Sequence, residues 1–177
     1  MTVSIPESQT AEGNVKAAFI PAIANLATGP TAAEVTAGFI ISSFLLPDWD
    51  GLTGTQNKGE DRRFSSRQVF QKLGRTAHEV APLTYTYLPQ ELGTPGHAAN
   101  EVYEGLAPGT NGYMLLGFGL DAEGDAAFVA TDIVDVVPVT CGTQFKAARG
   151  SDEFAPLTVT QELVVTGLKI EDRAIAA

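Results

Sequence analysis

At 177 residues the chain is close to the size of one domain and long enough to bury a core unaided, so a single domain over residues 1–177 is expected. Its 44% hydrophobic and 18% charged composition excludes wholesale disorder, and a formal charge of −10 argues against a general nucleic-acid binder, which needs a basic face for phosphates. Cys141 is the single cysteine, which excludes an internal disulfide and a thiolate metal cage within one chain.

Met1 to Asn14 is polar and without periodicity, the composition of a flexible N-terminal segment that orders against a partner. Val15 to Ile20 reads as a strand. Pro30-Thr31-Ala32-Ala33-Glu34-Val35 places a proline at a first-turn position before good helix formers, giving a short helix that ends at Gly38. Phe39 to Leu46 follows as a second apolar strand stopped by Pro47. From Asp48 to Lys58 the chain is rich in Gly, Thr and Asn and reads as turn and loop. Arg62 to Gln71 reads as an exposed strand, with Phe64 and Phe70 three alternating steps apart.

Leu83 to Leu88 is the clearest half-buried strand, with Leu83, Tyr85 and Tyr87 on one face and threonines on the other. Thr94-Pro95 caps and opens a helix whose Ala98, Val102 and Leu106 form one stripe, closed by Pro108-Gly109. Tyr113 to Leu120, an acidic turn over residues 121–125 and Ala126 to Val129 read as a hairpin. Ile133 to Thr140 and Pro156 to Leu168 are the last two strands, and in the second Leu157, Val159, Leu163 and Val165 alternate with polar residues. The sum is a mainly β (α+β) fold, a two-sheet β-sandwich or barrel with one flanking helix and a long extended loop over residues 48–82.

Residues that carry chemistry are sparse. His78 and His97 have no second ligand at metal-binding spacing, and His97 with Glu101 one helical turn on reads as an ordinary surface contact. Cys141 ends a strand with no base beside it and reads as a small buried side chain. Asp132 and Asp135, three apart on a strand, point to opposite faces and cannot share a proton. Gly117 and Gly119 lie within a strand, where glycines allow close packing, and do not open a dinucleotide-binding helix. No enzyme activity, metal or cofactor is expected. The longest apolar stretch, Ala37 to Pro47, is interrupted by Ser42 and Ser43 and too short to span a bilayer; with no signal-like start, a chain made in the cytoplasm without a membrane anchor is expected.

The charge distribution demands more explanation. Lys58, Arg62, Arg63, Arg67, Lys72 and Arg75 are six of the eleven basic residues, and only Glu60 and Asp61 oppose them in that stretch, leaving about +4 there. Five basic and nineteen acidic residues put about −14 on the remainder. The arm also carries Trp49, Leu52, Phe64, Val69, Phe70 and Leu73, more apolar residues than a disordered linker keeps. It is either a solvated loop or an intermolecular contact, and aromatic residues together with Arg are what interfaces enrich. The available partner for a basic arm is the acidic body of a second copy.

Three blocks resemble a known family. Val15-Lys16-Ala17-Ala18-Phe19-Ile20-Pro21-Ala22-Ile23-Ala24-Asn25-Leu26, continued by Pro30 to Val35 and Gly38, resembles the N-terminal signature of major tail tube proteins from phages of actinobacteria. Pro108-Gly109-Thr110-Asn111-Gly112-Tyr113, and Val134-Asp135-Val136-Val137-Pro138-Val139 with a terminal strand ending at Gly167, resemble its middle and C-terminal parts. The likeness covers about two thirds of the chain, and the section from Asp48 to Gln90 departs from the pattern. The resemblance implies a virion protein of a long-tailed, siphovirus-like phage, related in fold to the tubes of contractile tails and type VI secretion. It implies hexameric rings stacked into a hollow tube that DNA traverses without specific binding, and contacts with tape measure, tail terminator and tail tip proteins. On that reading Lys58, Arg62, Arg63, Phe64, Arg67, Phe70, Lys72 and Arg75 form the inter-ring contact, and Asp132, Asp135 and Glu162 are acidic lumen candidates. The arm is then partly disordered in the free subunit and orders on stacking, with Arg62, Arg63 and Arg67 meeting acids of the next ring. Two other classes fit the same features. One is a different ring subunit, such as a tail terminator or injection-machine tube. The other is a monomeric β-sandwich binding module whose Tyr85, Tyr87, Tyr103 and Tyr113 line a groove.

Overall fold

Alternation along the central strands divides the apolar side chains into two cores. In β1 (Val15–Ile20), Ala17 and Phe19 enter one core while Ala18 and Ile20 enter the other. β6 (Asn111–Phe118) and β7 (Ile133–Ala148) behave alike, with Met114, Leu116, Val137 and Val139 on the first side and Leu115, Val134 and Val136 on the second. Strands covered on both faces read as near-continuous apolar runs, which is why these segments stand out in the sequence. The computed structural model describes residues 10–46, 49–91, 100–122, 127–148 and 155–177.

The main sheet is antiparallel and runs β2 (Phe39–Ile40), β1, β6, β7, β8 (Leu157–Val165), β5 (Leu83–Thr86), with β9 (Ile170–Ala174) paired to the start of β7. Its two ends are brought together by the chain between them. Leu45 bridges Tyr85, and Leu46 N–H donates to the Thr84 carbonyl at 3.0 Å, so the segment leaving β2 at one edge reaches β5 at the other. The sheet thus curls around the first core, which holds Phe19, Ile41, Leu83, Tyr85, Met114 and Val159. α2 (Glu101–Gly105) contributes Val102 and Leu106 to the same core. The second core lies on the outer face, covered by Ile23, Leu26 and Val35 around α1 (Ala32–Thr36), with Phe128 and Ile175. A separate two-stranded hairpin, β3 (Leu52–Asp61) with β4 (Phe70–Val80), projects from this body.

The mainly β fold with a flanking helix is the one expected, and several boundaries differ for identifiable reasons. Phe39 to Leu46 is not one strand: β2 stops at Ile40 and a 3₁₀ turn over Ser42–Phe44 carries the chain across to β5. Residues 52–58, expected as loop, are strand because β4 pairs with them. Of the expected strand Arg62 to Gln71 only Phe70 and Gln71 are strand, at the start of β4, while residues 62–69 make the reversal. The hairpin expected from Tyr113 to Val129 is replaced by one from β6 to β7. β6 has β1 on one edge and β7 on the other, so residues 127–129 find no open edge and Phe128 packs into the outer core. Gly119 is a turn residue at φ +74° just after β6, whereas Gly117 sits inside the strand at a place where a Cβ would meet Leu120 Cδ1 at 2.4 Å. β7 runs on past Thr140 through a bulge between Cys141 and Gln144. Leu157, expected on the apolar face of β8, is exposed because it lies beyond the last β5 pair, Thr86 with Thr158. Pro30 precedes the helix, and Thr31 is the N-cap. Thr94, Pro95, His97 and Ala98 lie outside the described residues, as do residues 1–9 of the N-terminal segment. Residues 11–14 form a turn held to the chain after β6, since Gly119 N–H donates to Asn14 O at 2.8 Å and Ala122 N–H to Gly13 O at 2.9 Å.

Candidate functional site

The hairpin is anchored only at its base. Gly51, at φ +70°, turns the chain into β3, and Leu52 pairs with Val80, the last residue of β4, which is buried. Trp49 Nε1 donates to the Ala81 carbonyl at 3.0 Å, and Ala81 N–H donates to Gly51 O at 2.8 Å. Beyond that base the ribbon is exposed on both faces. A register shift between Gln56 and Lys58 leaves one extra residue on β4, a bulge that increases the local twist.

All eight residues expected at an inter-subunit contact fall on this one hairpin. Lys58 is paired with Leu73 on one face, while Phe70 is paired with Asp61 and lies beside Lys72 on the other. Arg62, Arg63, Phe64 and Arg67 occupy the tip, where Ser66 N–H donates to Arg63 O at 3.1 Å, and Arg75 sits at the bulge. Phe64 is fully exposed at 114%, Leu73 is 70% exposed and Phe70 47%. The two acids of the arm engage three of its cations: Arg62 meets Glu60 at 2.7 Å, and Asp61 takes Arg63 at 3.1 Å and Lys72 at 2.9 Å. These pairs are exposed, and such pairs contribute about 0–1 kcal/mol, so they exchange readily for better partners. Lys58, Arg67 and Arg75 have no salt bridge among the described residues.

The three acidic candidates are not brought together. Glu162 is exposed on β8, on the side away from the inner core, between Thr160 and Val164 on that face and opposite the β7 bulge that lies between Cys141 and Gln144. That part of the outer face lies beyond the second core. Asp135 points to the opposite side of the sheet, in step with Val137 and Val139, and its Oδ1 accepts from Asp172 N–H at 2.9 Å. Asp132 lies just before β7, where its Oδ2 accepts from Val129 N–H at 2.9 Å. Two of the three carboxylates are therefore engaged by backbone N–H groups. The tyrosines of the groove reading are core residues: Tyr85 and Tyr87 are buried, Tyr103 packs against the inner core and Tyr113 against the outer. Among the described residues no group of three or more His, Cys, Asp or Glu side chains is placed to hold a metal ion.

A curled antiparallel sheet with a projecting basic hairpin is the geometry on which the comparison with known families bears, and the phage tail tube protein family model matches residues 2–177. The chain belongs to the phage tail tube protein family. No individually curated protein matches it. As a tail tube protein it is a structural component of the virion, and among its described residues no helix is long and apolar enough to cross a membrane.

One feature of this tail tube protein escaped sequence reasoning. Gln144 and Gln161 form a polar cluster inside the curled sheet with the Tyr85 hydroxyl, which burial holds in its neutral form by pushing its pKa up. Gln161 stands at the apolar phase of β8, between Val159 and Leu163, and that violation of the alternation was the available signal. Cys141, buried nearby on β7, has its thiol pushed up to about 11 by desolvation. A thiol so held is poorly ionised and inert.

Proposed function

We propose that copies of this chain assemble into rings, six to a ring, that stack into the hollow tube of the tail, and that the β3–β4 hairpin makes the contact between rings. The observation that carries this reading is a two-stranded ribbon exposed on both faces, bearing Phe64, Phe70, Leu73 and, from Lys58 to Arg75, a charge of about +4 against about −14 on the rest of the chain. An isolated two-stranded ribbon is marginally stable in water, so this one gains order when a second copy covers it. Six copies at −10 each carry −60, and complementary contacts between rings offset that repulsion. Glu162, exposed on the threonine-bearing part of the sheet, is the strongest lumen candidate of the three, because an acidic wall does not retain the phosphates of passing DNA. Asp132 and Asp135 are the weaker candidates, being tied to backbone N–H groups. Tape measure, tail terminator and tail tip proteins complete the set of partners for such a tube.

Electron microscopy of the purified chain tests the proposal. Long hollow tubes are expected from the full chain. A variant in which residues 55–77 are replaced by a two-residue Asn-Gly turn keeps the base pairs Leu52–Val80, Thr53–Glu79 and Gly54–His78, and should fold without forming tubes. Tubes of normal length from that variant would refute the role of the hairpin. Single rings from the full chain would indicate a terminator, and a monomer at every concentration a binding module.

A further inference from the structure

A knob and a hole lie at opposite ends of the hairpin. The knob is Phe64, carried at the apex of the tip turn with its ring wholly in solvent. The hole is a groove of about 570 Å³ next to the hairpin base, with Val15, Leu45, Leu46 and Trp49 as its apolar wall. Ser42 also lines it, and Ser42 Oγ is shielded from solvent and has no hydrogen-bond partner among the described residues. Exposed Glu12 is on its rim, Asp121 and Asp50 are the chain neighbours of lining residues Ala122 and Trp49, and among the described residues no Lys or Arg lines it.

We propose that the Phe64 ring of one subunit seats in this groove of the next, with Arg62, Arg63 and Arg67 against the acidic rim. The occupant is a second copy of the chain, on two grounds. The tip is basic where the rim is acidic, and an aromatic flanked by Arg is the side-chain set that anchors interfaces. A subunit's own tip is also out of reach, because the ten residues of β3 carry it roughly 30 Å from the base. Knob and hole are different surfaces of one molecule, so the contact is heterologous and propagates along an open stack, with a free knob at one end and a free groove at the other. This inference rests on the stacking reading and specifies what the hairpin grips.

The full chain supplies the reporters. Trp49 is its single tryptophan and lines the groove, and Cys141 is its single cysteine and is buried. A preparation carrying Ser65→Cys, next to the knob, is mixed with one carrying Ala11→Cys or Ala122→Cys at the groove, assembled and oxidised. A disulfide-linked dimer of the two variants is expected, together with a change in Trp49 emission on assembly. Phe64→Ala should raise the concentration needed for assembly at least about tenfold and abolish the emission change. Tubes that form without the cross-link and without an emission change would overturn the docking while leaving the tube itself intact. The absence of any tubes or cross-link would overturn both. An emission change produced by removing residues 2–9, and absent on assembly, would make the chain's own N-terminus the occupant and also overturn it.

Discussion

Gln161 is a buried amide with every polar atom engaged. Its Oε1 accepts from the Tyr85 hydroxyl at 3.1 Å, and its Nε2 donates to the carbonyls of Leu106 at 2.7 Å and Gly142 at 2.9 Å. Gln144 Nε2 adds bonds to the Tyr85 oxygen at 3.0 Å and to the Tyr103 carbonyl at 2.7 Å. One side chain thus joins the residue that ends α2, the bulge in β7 and the aromatic center of the inner core. Satisfied clusters of this kind specify one arrangement, and a broken one costs the desolvation of each orphaned group. Gln161→Leu keeps similar bulk but strands Gly142 O and leaves the Tyr85 hydroxyl without its acceptor. We expect a loss of about 2–4 kcal/mol, read as a lower urea midpoint with an unchanged slope. A midpoint equal to wild type would show that the leucine packs well enough to replace the network.

At the scale of elements, the short helix α1 owes its position to Glu34 more than to its length. Thr31 Oγ1 accepts from Glu34 N–H at 3.3 Å, and Glu34 Oε2 accepts from Thr31 N–H at 2.8 Å, closing a capping box. Glu34 Oε1 also accepts from Ala24 N–H at 2.6 Å, which fastens the segment carrying Ile23 and Leu26 over the outer core. The Ala24 N–H is the main cause, and the Thr31 N–H and hydroxyl the next, of a Glu34 pKa held below the ordinary carboxylate value. Because the folded value lies below the unfolded one, the stabilisation is complete above about pH 4.3 and is lost as pH falls through the folded value. We expect the difference in Tm between wild type and Glu34→Ala to shrink steadily as pH is lowered below about 4. A difference that persists unchanged into strong acid would mean that packing, not the carboxylate, holds the segment.

The same scale shows what the sequence disclosed and what it hid. β1, β5 and β6 were legible because each buries a face or both, and α1 because a proline stands just ahead of good helix formers, although Pro30 precedes the cap and the capping box of Thr31 and Glu34 is what the structure adds. β3 was hidden because a ribbon with no core beneath it has no hydrophobic period: Thr53-Gly54-Thr55-Gln56-Asn57-Lys58 is strand only through its pairing with β4. β9, with Glu171, Asp172 and Arg173, was hidden for the same reason, being an edge strand held by β7. The hairpin's residues could be singled out by charge, but their gathering onto one ribbon depends on that register. Glu162 could likewise be named from its polar alternation, whereas the bond of Asp135 to the Asp172 N–H, 37 residues away, leaves no local pattern.

For the whole molecule, the decisive quantity is how charge is divided between arm and body. In the arm, Arg62, Arg63 and Lys72 already have acidic neighbours at Glu60 and Asp61, whereas Lys58, Arg67 and Arg75 have no salt bridge among the described residues. The latter three are therefore the cations with most to gain from another subunit's acids. Replacing Lys58, Arg67 and Arg75 together by Gln takes the formal charge from −10 to −13 and removes no intramolecular ion pair of the described residues. Folding should hardly change, since exposed substitutions of this kind alter stability by about 0.5 kcal/mol or less. Assembly should weaken, and light scattering across a salt series separates the possible causes. Contacts between opposite charges are screened beyond about 8 Å at physiological ionic strength, so wild-type tubes should need a higher subunit concentration as salt rises. The triple variant has lost part of the attraction that salt screens, keeping Arg62 and Arg63, so its assembly should respond to salt less steeply than that of the wild type. An identical salt dependence for the two proteins would mean that Lys58, Arg67 and Arg75 take no part in the contact, leaving it to Arg62, Arg63 and the apolar Phe64, Phe70 and Leu73.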